Sequence, residues 1–594
     1  YVLLKKGVDP KSVEAKLPAL IDKYLGKKMA ELNSKSNLWL QPVKDIHLHS
    51  DLRIELESNG SERTVYFLSI LGVLILFVAW INYINLSTAK SLERAKEVGL
   101  KKVIGATKKQ LISQFMFESV LVNLFALVLA AIIVIAFASP FDEFVGKKVS
   151  ESFLASGLLG NWQFWLGLAT IFIIGAVQVG AYPAFVLSAF RPALVLKGKF
   201  SQSTKGIRVR RALVTLQFSL SIILIAGSII VYKQLSFMQE TDPGYNKDQV
   251  LVVKAPAVTD STFQSKVAVF KAALRNNPAI AGVAPSTEIP GKTIFARNDV
   301  RKLGDDQAKG MVSGLVEIDE SFIPTYQVSL AAGANIPVND PVNMFESKNT
   351  RVLVNEELAK NLGYKDNQSA IGQYILLTSW FGDIKGEIVG VVKNYHQRSL
   401  KEKYQRILYY YNNRSEWAYF SINIKAKGQK EALSYIESTY NDIFSGNAFE
   451  SFFLDEFFNQ QYISDQRFGK IFTLFTIMAI IIACIGLIGL STYAIKIRTK
   501  EIGVRKVLGA SVPRIVYLFY KDFISLIAVA AVISIPVVYL AAENWLNNFA
   551  FRIPLSWSIF IVSPLILVIL SLLTIGVQST KAALLNPVKT LRVE

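Results

Sequence analysis

Cysteine is nearly absent: Cys484 is the only one in 594 residues. No disulfide within the chain can staple a domain, so each domain depends on its own core. Histidine is almost as scarce. His47 and His49 would share one face of a strand, but neither they nor His396 have a third ligand nearby, so the expectation is no metal site. Motif chemistry is missing too. No G-x-x-x-x-G-K-[ST] stretch occurs, so these residues bind no ATP through a P-loop. No G-x-S-x-G, H-E-x-x-H or paired-cysteine pattern occurs either, and no catalytic residues are expected.

What the chain has in excess is apolar residues. A hydrophobic share of 51% and a mean hydropathy of +0.34 exceed what one soluble core uses. Seven runs are long enough to cross a hydrocarbon layer roughly 30 Å thick. They lie near 65–86, 117–139, 164–187, 213–232, 471–492, 523–542 and 557–577. A large soluble protein buries one or two such helices, not seven, so this is a polytopic α-helical membrane protein. Charge is missing from the runs, with Glu118 only at an edge, and this counts against an ion-coupled transporter. Asn82, Asn85, Gln178 and Gln217 are the polar exceptions, expected to glue helices together.

The net charge of +19 does not point to nucleic acid, because of where it sits. Basic residues crowd three loops, at 90–109, 191–211 and 496–521, while 140–163 and 543–556 are poor in them. That is the positive-inside pattern. It places 1–64 and 233–470 outside the cytoplasm and the C-terminus inside, with the lipid bilayer as a partner.

One polar stretch is written twice. Glu97–Val98–Gly99–Leu100–Lys101–Lys102–Val103–Ile104–Gly105–Ala106 returns 404 positions later as Glu501–Ile502–Gly503–Val504–Arg505–Lys506–Val507–Leu508–Gly509–Ala510. Each copy lies between two apolar runs, as a duplicated membrane unit would. Glu97 with Lys101, and Glu501 with Arg505, stand at i and i+4 in the order that supports a helix. Gly105 and Gly509 then stop that helix in a left-handed cap. Thr107 with Gln110 makes a capping box for a second short helix, and Ser511 is the equivalent cap. A turn that only sets topology needs charge, not a repeated Gly-Ala break. Each copy therefore reads as a stiff basic elbow.

The E-x-G-x-[RK]-K-x-x-G-A elbows resemble those of FtsX-like permeases, the membrane subunits of MacB-type ABC transporters, and the resemblance spans essentially the whole chain. It implies seven spans here and eight in full length, with α+β extracytoplasmic domains and a duplicated four-span unit. It divides the chain into 1–64, the end of a first outer domain; 65–187, a first membrane unit; 188–212, a cytoplasmic linker; 213–232, a span opening the second repeat; 233–470, a second, MacB-like outer domain; 471–577, a second membrane unit; and 578–594, a cytoplasmic tail. Residues 1–64 are expected to follow an upstream span and most of a domain. By the same resemblance, Glu97, Gly99, Lys101, Lys102, Gly105, Ala106 and Thr107, with Glu501, Gly503, Arg505, Lys506, Gly509, Ala510 and Ser511, couple to the ATPase. ATP and Mg belong to partner ABC ATPase subunits, two per chain, and this chain is no enzyme. The outer domains would handle a peptide, lipoprotein or antibiotic-like substrate, with an adaptor, cargo or hydrolase as further partner. The alternative is a regulator that activates a cell-wall hydrolase without transport.

Within 233–470 the pattern is α+β. Val250–Val253, Val352–Val354 and Ile388–Val392 read as strands. Ser261–Asn276 and Glu356–Leu362 read as helices, and turns are expected at Gly304–Asp306 and at Asp383–Ile384. Tyr419–Lys425 followed by Gln429–Phe444 reads as strand then helix, and Tyr1–Leu4 followed by Pro10–Leu25, capped by Asp9, reads the same way. Asn394, Tyr395 and His396 lack a nucleophile and a carboxylate in register and read as a packed turn.

Overall fold

The computed structural model describes residues 1–31, 35–50, 52, 60, 62–146, 148–151, 160–188, 204–337, 350–379, 382–412 and 416–584. Side chains at 31, 88–96, 179, 182–188, 204–207, 379, 382 and 500 are outside that description. Contacts divide the chain into two compact units. One holds Tyr1–Glu62, Phe237–Ser464 and Asn548–Arg552; the other holds Arg63–Ser236, Asp465–Asn547 and Ile553–Glu594.

The second unit is helical. Its long helices are Glu62–Val103, Lys108–Val145, Trp162–Ser188, Thr204–Glu240, Ile463–Ile497, Val512–Leu546 and Trp557–Leu584. Among the described residues, six of these are long and apolar enough to cross a membrane. The expected run 164–187 falls on Trp162–Ser188, whose described apolar part, Trp162–Gln178, is shorter. Large apolar side chains such as Phe125, Ile135 and Val532 stand exposed along the spans, which suits lipid and not water. Of the expected linker 188–212, the end from Thr204 is described. The helix of the next span already starts at Thr204, so Arg208–Arg211 lie on it, while 189–203 and the tail from 585 are outside the described residues.

The first unit carries two sheets. Strands β1 (Val250–Lys254), β2 (Ile280–Ser286), β10 (Tyr419–Ile424) and β11 (Ser451–Phe453) pair antiparallel in the order β11-β1-β10-β2. Helices Phe263–Arg275 and Gln429–Ile443 cover this sheet, and Phe270, Phe420, Tyr440 and Phe444 fill the space between. The second sheet contains β3 (Arg297–Lys302), β4 (Met311–Glu317), β5 (Leu330–Gly333), β6 (Thr350–Asn355), β7 (Tyr374–Ser379), β8 (Gly382–Val392) and β9 (Ile407–Tyr410), in the order β5-β8-β6-β9-β4-β3-β7. Because β8 also pairs with β7, six of these strands close into a ring around Val300, Val354, Ile388 and Leu408.

Four local expectations are corrected. Asp383–Ile384 is not a turn but lies within β8, paired with Thr378 and Leu377. Gly386 is there for a close approach, since a Cβ would press on Val352 of β6 at 3.0 Å. Tyr1–Leu4 forms no strand, and the helix begun at Pro10 breaks at Ala15–Lys16 before resuming over Leu17–Glu31. Asp9 does cap it, through the Lys11 amide at 3.2 Å. His47 and His49 lie on the helix Val43–His49, not on a strand, and His49 Nδ1 meets Glu62 Oε2 at 3.1 Å.

Candidate functional site

The two elbows fold alike because the same local rules act on the same residues. In the first, Lys101 Nζ bonds Glu97 Oε1 at 2.7 Å over the last turns of Glu62–Val103. Gly105 takes φ +105°, a left-handed conformation that residues with a Cβ rarely adopt. Its amide donates to the Lys102 carbonyl, and the Ala106 amide to the Lys101 carbonyl, at 3.1 and 2.9 Å. These two bonds are the Schellman closure of a helix end. In the second elbow Gly509 has φ +87°, and the matching bonds run from Gly509 to Lys506 and from Ala510 to Arg505, at 3.1 and 2.9 Å. Glu501 and Arg505 pair at 2.7 Å.

Burial repeats as well. Val98, Leu111 and Phe115 form a small core with Ala106 at its edge. Their counterparts Ile502, Ile515, Phe519 and Ala510 sit together in a larger core. Gly99 and Gly503 are buried on the same inward face, while Glu97, Glu501, Lys108 and Lys109 are exposed and Lys102 and Lys506 are half-buried. The outward face shows Leu100, Val103 and Ile104 in one copy and Val504, Val507 and Leu508 in the other. Ile104 and Leu508 are 77% and 80% exposed, more than a turn held for its charge alone calls for. In the first elbow an open groove between the helices is lined by Lys101, Ile104, Ala106, Gln110 and Gln114.

Two expectations about the elbows change. The helix after each break is not short: it continues unbroken as Lys108–Val145 in one copy and Val512–Leu546 in the other. Thr107 does form the capping box with Gln110, but Ser511 holds the cap position without a side-chain bond. Residue N3 there is Arg514, which cannot reach back as Gln110 does, and Pro513 needs no partner for an amide it lacks.

Charge reading missed the exposed apolar triads, although their positions are among the repeated ones. It also missed a clamp in the second copy, where Arg498 Nη2 meets Asp522 Oδ2 at 3.1 Å just where Ile463–Ile497 ends. The signal was available, since 404 positions earlier stand Arg94 and Glu118.

Asn394, Tyr395 and His396 form a packed turn. Asn394 Oδ1 accepts from the Glu357 amide at 2.9 Å, and the Tyr395 and Tyr409 hydroxyls bond at 3.0 Å inside the core. The His396 ring lies against Tyr404 and Phe551, and burial pushes its pKa down to about 4, with Asp242 pulling it up. Asn82 acts as helix glue, donating its amide to the Ile482 carbonyl. Among the described residues no three His, Cys, Asp or Glu side chains cluster as a metal site would.

Residues 69–191 and 473–587 each match the family of the FtsX-like permease C-terminal domain. Among curated proteins, the chain is similar to the macrolide export ATP-binding/permease protein MacB of Bdellovibrio bacteriovorus, 29% identical over 25% of this chain and 21% of that protein. It is also similar to MacB of Agrobacterium fabrum, 29% identical over 21% of this chain and 17% of that protein. The chain thus spans about a fifth of the length of these curated relatives. Among solved structures, the periplasmic region of MacB from Actinobacillus actinomycetemcomitans aligns at 12% identity over 36% of this chain and 94% of that one, with a TM-score of 0.26. The extracellular domain of the noncanonic ABC-type transporter YknZ aligns at 14% identity over 34% and 97%, with a TM-score of 0.24.

Proposed function

We propose that this chain, a multi-pass membrane protein with two FtsX-like permease domains and a resemblance to MacB-type permeases, transmits ATPase motion across the bilayer. The observation that carries this reading is the duplicated elbow: two rigid, capped corners presenting the same exposed apolar triad within a basic surround. An apolar triad with charges around it fits a cleft in a protein, where burial supplies affinity and the rim supplies specificity. ATP and Mg sit on partner ATPase subunits, one under each elbow, and this chain binds neither. Closing the ATPase pair moves both elbows together. Helices Glu62–Val103 and Ile463–Ile497 carry the motion to the α+β unit, which works outside the membrane on exported or extracytoplasmic cargo.

In this reading both elbows and the C-terminus are cytoplasmic, and the two repeated membrane units are related by a rough two-fold axis. The test is to purify the chain in mild detergent with its bound ATPase and compare it with I104D/L508D. The variant is expected to insert normally and lose the ATPase. Normal co-purification and turnover with both aspartates in place would overturn the docking surface.

A further inference from the structure

The buried side of helix Glu62–Val103 has a seven-residue period. Leu71, Ile75, Val78, Asn82 and Asn85 are all buried, at the four-and-three spacing of a two-helix seam. Adding the 404-residue offset of the repeat turns these positions into Phe475, Ala479, Ile482, Gly486 and Gly489, all on helix Ile463–Ile497.

Three of these five pairs are also neighbours, Leu71 with Phe475 and Ile75 with Ala479 in one cluster and Asn82 with Gly486, while Gly489 meets Leu86, one position past its counterpart. Leu71, Ile75, Phe475, Ala479 and Ile482 share one apolar cluster with Leu68 and Phe472, themselves a pair at the same offset. Asn82 bonds the Ile482 carbonyl, and a Cβ placed on Gly486 would overlap the Asn82 amide. A Cβ on Gly489 would overlap Leu86. Contacts rise in step along both helices, from Phe67 with Phe468 to Leu86 with Gly489, so the pair is parallel.

A residue that touches its own repeat counterpart lies on the axis of the duplication. At such a place a strict two-fold sets like against like. Two copies of the first helix would force one amide into another at 82, and two copies of the second would leave facing glycines at 486. The observed seam instead sets a side chain against a glycine each time.

We propose that this seam closes only between unlike halves, so that the chain is its own partner and excludes a second copy of itself. The first half supplies Asn82 and Leu86, and the second supplies the room at Gly486 and Gly489. Small residues let membrane helices approach, and one polar side chain at a seam fixes register at some cost in stability. A fused chain can specialise its halves in this way, whereas two identical subunits cannot.

The inference rests on the pairing of units proposed above, and the experiment separates the two. The full chain is purified in mild detergent as N82G, G486N and the swap N82G/G486N, and thermal midpoints are compared. G486N should fall furthest, because two amides then compete for one space. N82G should fall less. The swap should recover most of the loss, because across the proposed axis a side chain introduced at 486 would face the Val78 carbonyl as Asn82 faces that of Ile482. A swap no more stable than G486N overturns the axis, and an undisturbed G486N overturns the contact.

Should G486N fail to fold, oxidation of single-cysteine chains decides. In a C484A background, N82C alone and G486C alone should give no covalent dimer, and a dimer from either would overturn the exclusion. Co-purified ATPase is scored on the same samples. A failed swap that retains the ATPase strikes the seam alone, while an intact seam without ATPase strikes the coupling reading.

Discussion

The first elbow leaves its membrane helix without interruption, over forty-two residues from Glu62 to Val103, whereas the second is set apart by a break at Arg498. The first is closed at its far side by a capping box; the second relies on Ser511 backbone and Pro513. Ties to neighbouring residues also take different forms: Lys101 Nζ reaches Gln114 Oε1 at 3.3 Å at the first corner, and at the second Arg498 pairs with Asp522 and Lys506 Nζ with the Ala583 carbonyl at 2.7 Å. Yet the glycine caps, the inward core and the outward triad are the same in both. What is shared is the corner and the face it shows. What differs is how each corner is braced.

The largest expected effect tests the shared part. If the proposed coupling holds, changing Gly105 and Gly509 together to valine should leave insertion intact and uncouple the partner's ATP turnover from activity. Beyond the adjoining residues, no atom lies within 4 Å of a Cβ at either site, so the strain is conformational. It is about 1–2 kcal/mol per left-handed residue, and more for a β-branched one. Asparagine at both sites should be tolerated, since it adopts this conformation more readily. A double valine variant with full coupled turnover would reduce the elbow to a charged turn.

The next effect separates the two braces. T107A should loosen the start of Lys108–Val145 by about 1 kcal/mol, read as faster amide exchange at Gln110. S511A should change almost nothing at Arg514, because the hydroxyl makes no cap bond. Equal losses at both caps would mean the corners are braced alike after all. A smaller effect comes from R498A. Its ion pair with Asp522 is more than a third exposed, so the loss should be within about 0.2–1 kcal/mol and confined to the second corner.

The smallest effect returns to what is shared. E97Q and E501Q each remove a solvated i,i+4 pair and should cost only about 0.2–0.5 kcal/mol in helix stability. A loss of ATPase affinity worth about 2–5 kcal/mol would instead place the glutamate against a base in a desolvated cleft. Binding titrations of the single variants distinguish the two cases.

Most of each corner was legible in the sequence because short-range forces make it. A glycine after a basic helical turn, or Thr107 three residues before Gln110, acts within one turn of backbone. Ser511 misled because its hydroxyl fits the cap position, while the residue three on is Arg514. The outward triads were visible as letters but not as a surface. Leu100 and Val98 are both apolar, and only packing against Leu111 and Phe115 decides which turns inward. The turn expected at Asp383–Ile384 failed for a tertiary reason, since these residues pair with Thr378 and Leu377 and the nearby Gly386 serves a close strand contact.

By itself, then, the sequence determined the apolar spans, the duplicated elbows and the caps that end their helices, because membrane solvation and backbone conformation are read over a few residues. Only the tertiary structure decided that six strands close into a ring, that Asn548–Arg552 joins the α+β unit, and that Asn82 meets Gly486. Those contacts join segments far apart in the chain. Whether an asparagine is glue or a glycine is room depends on what stands opposite, and no local pattern records that.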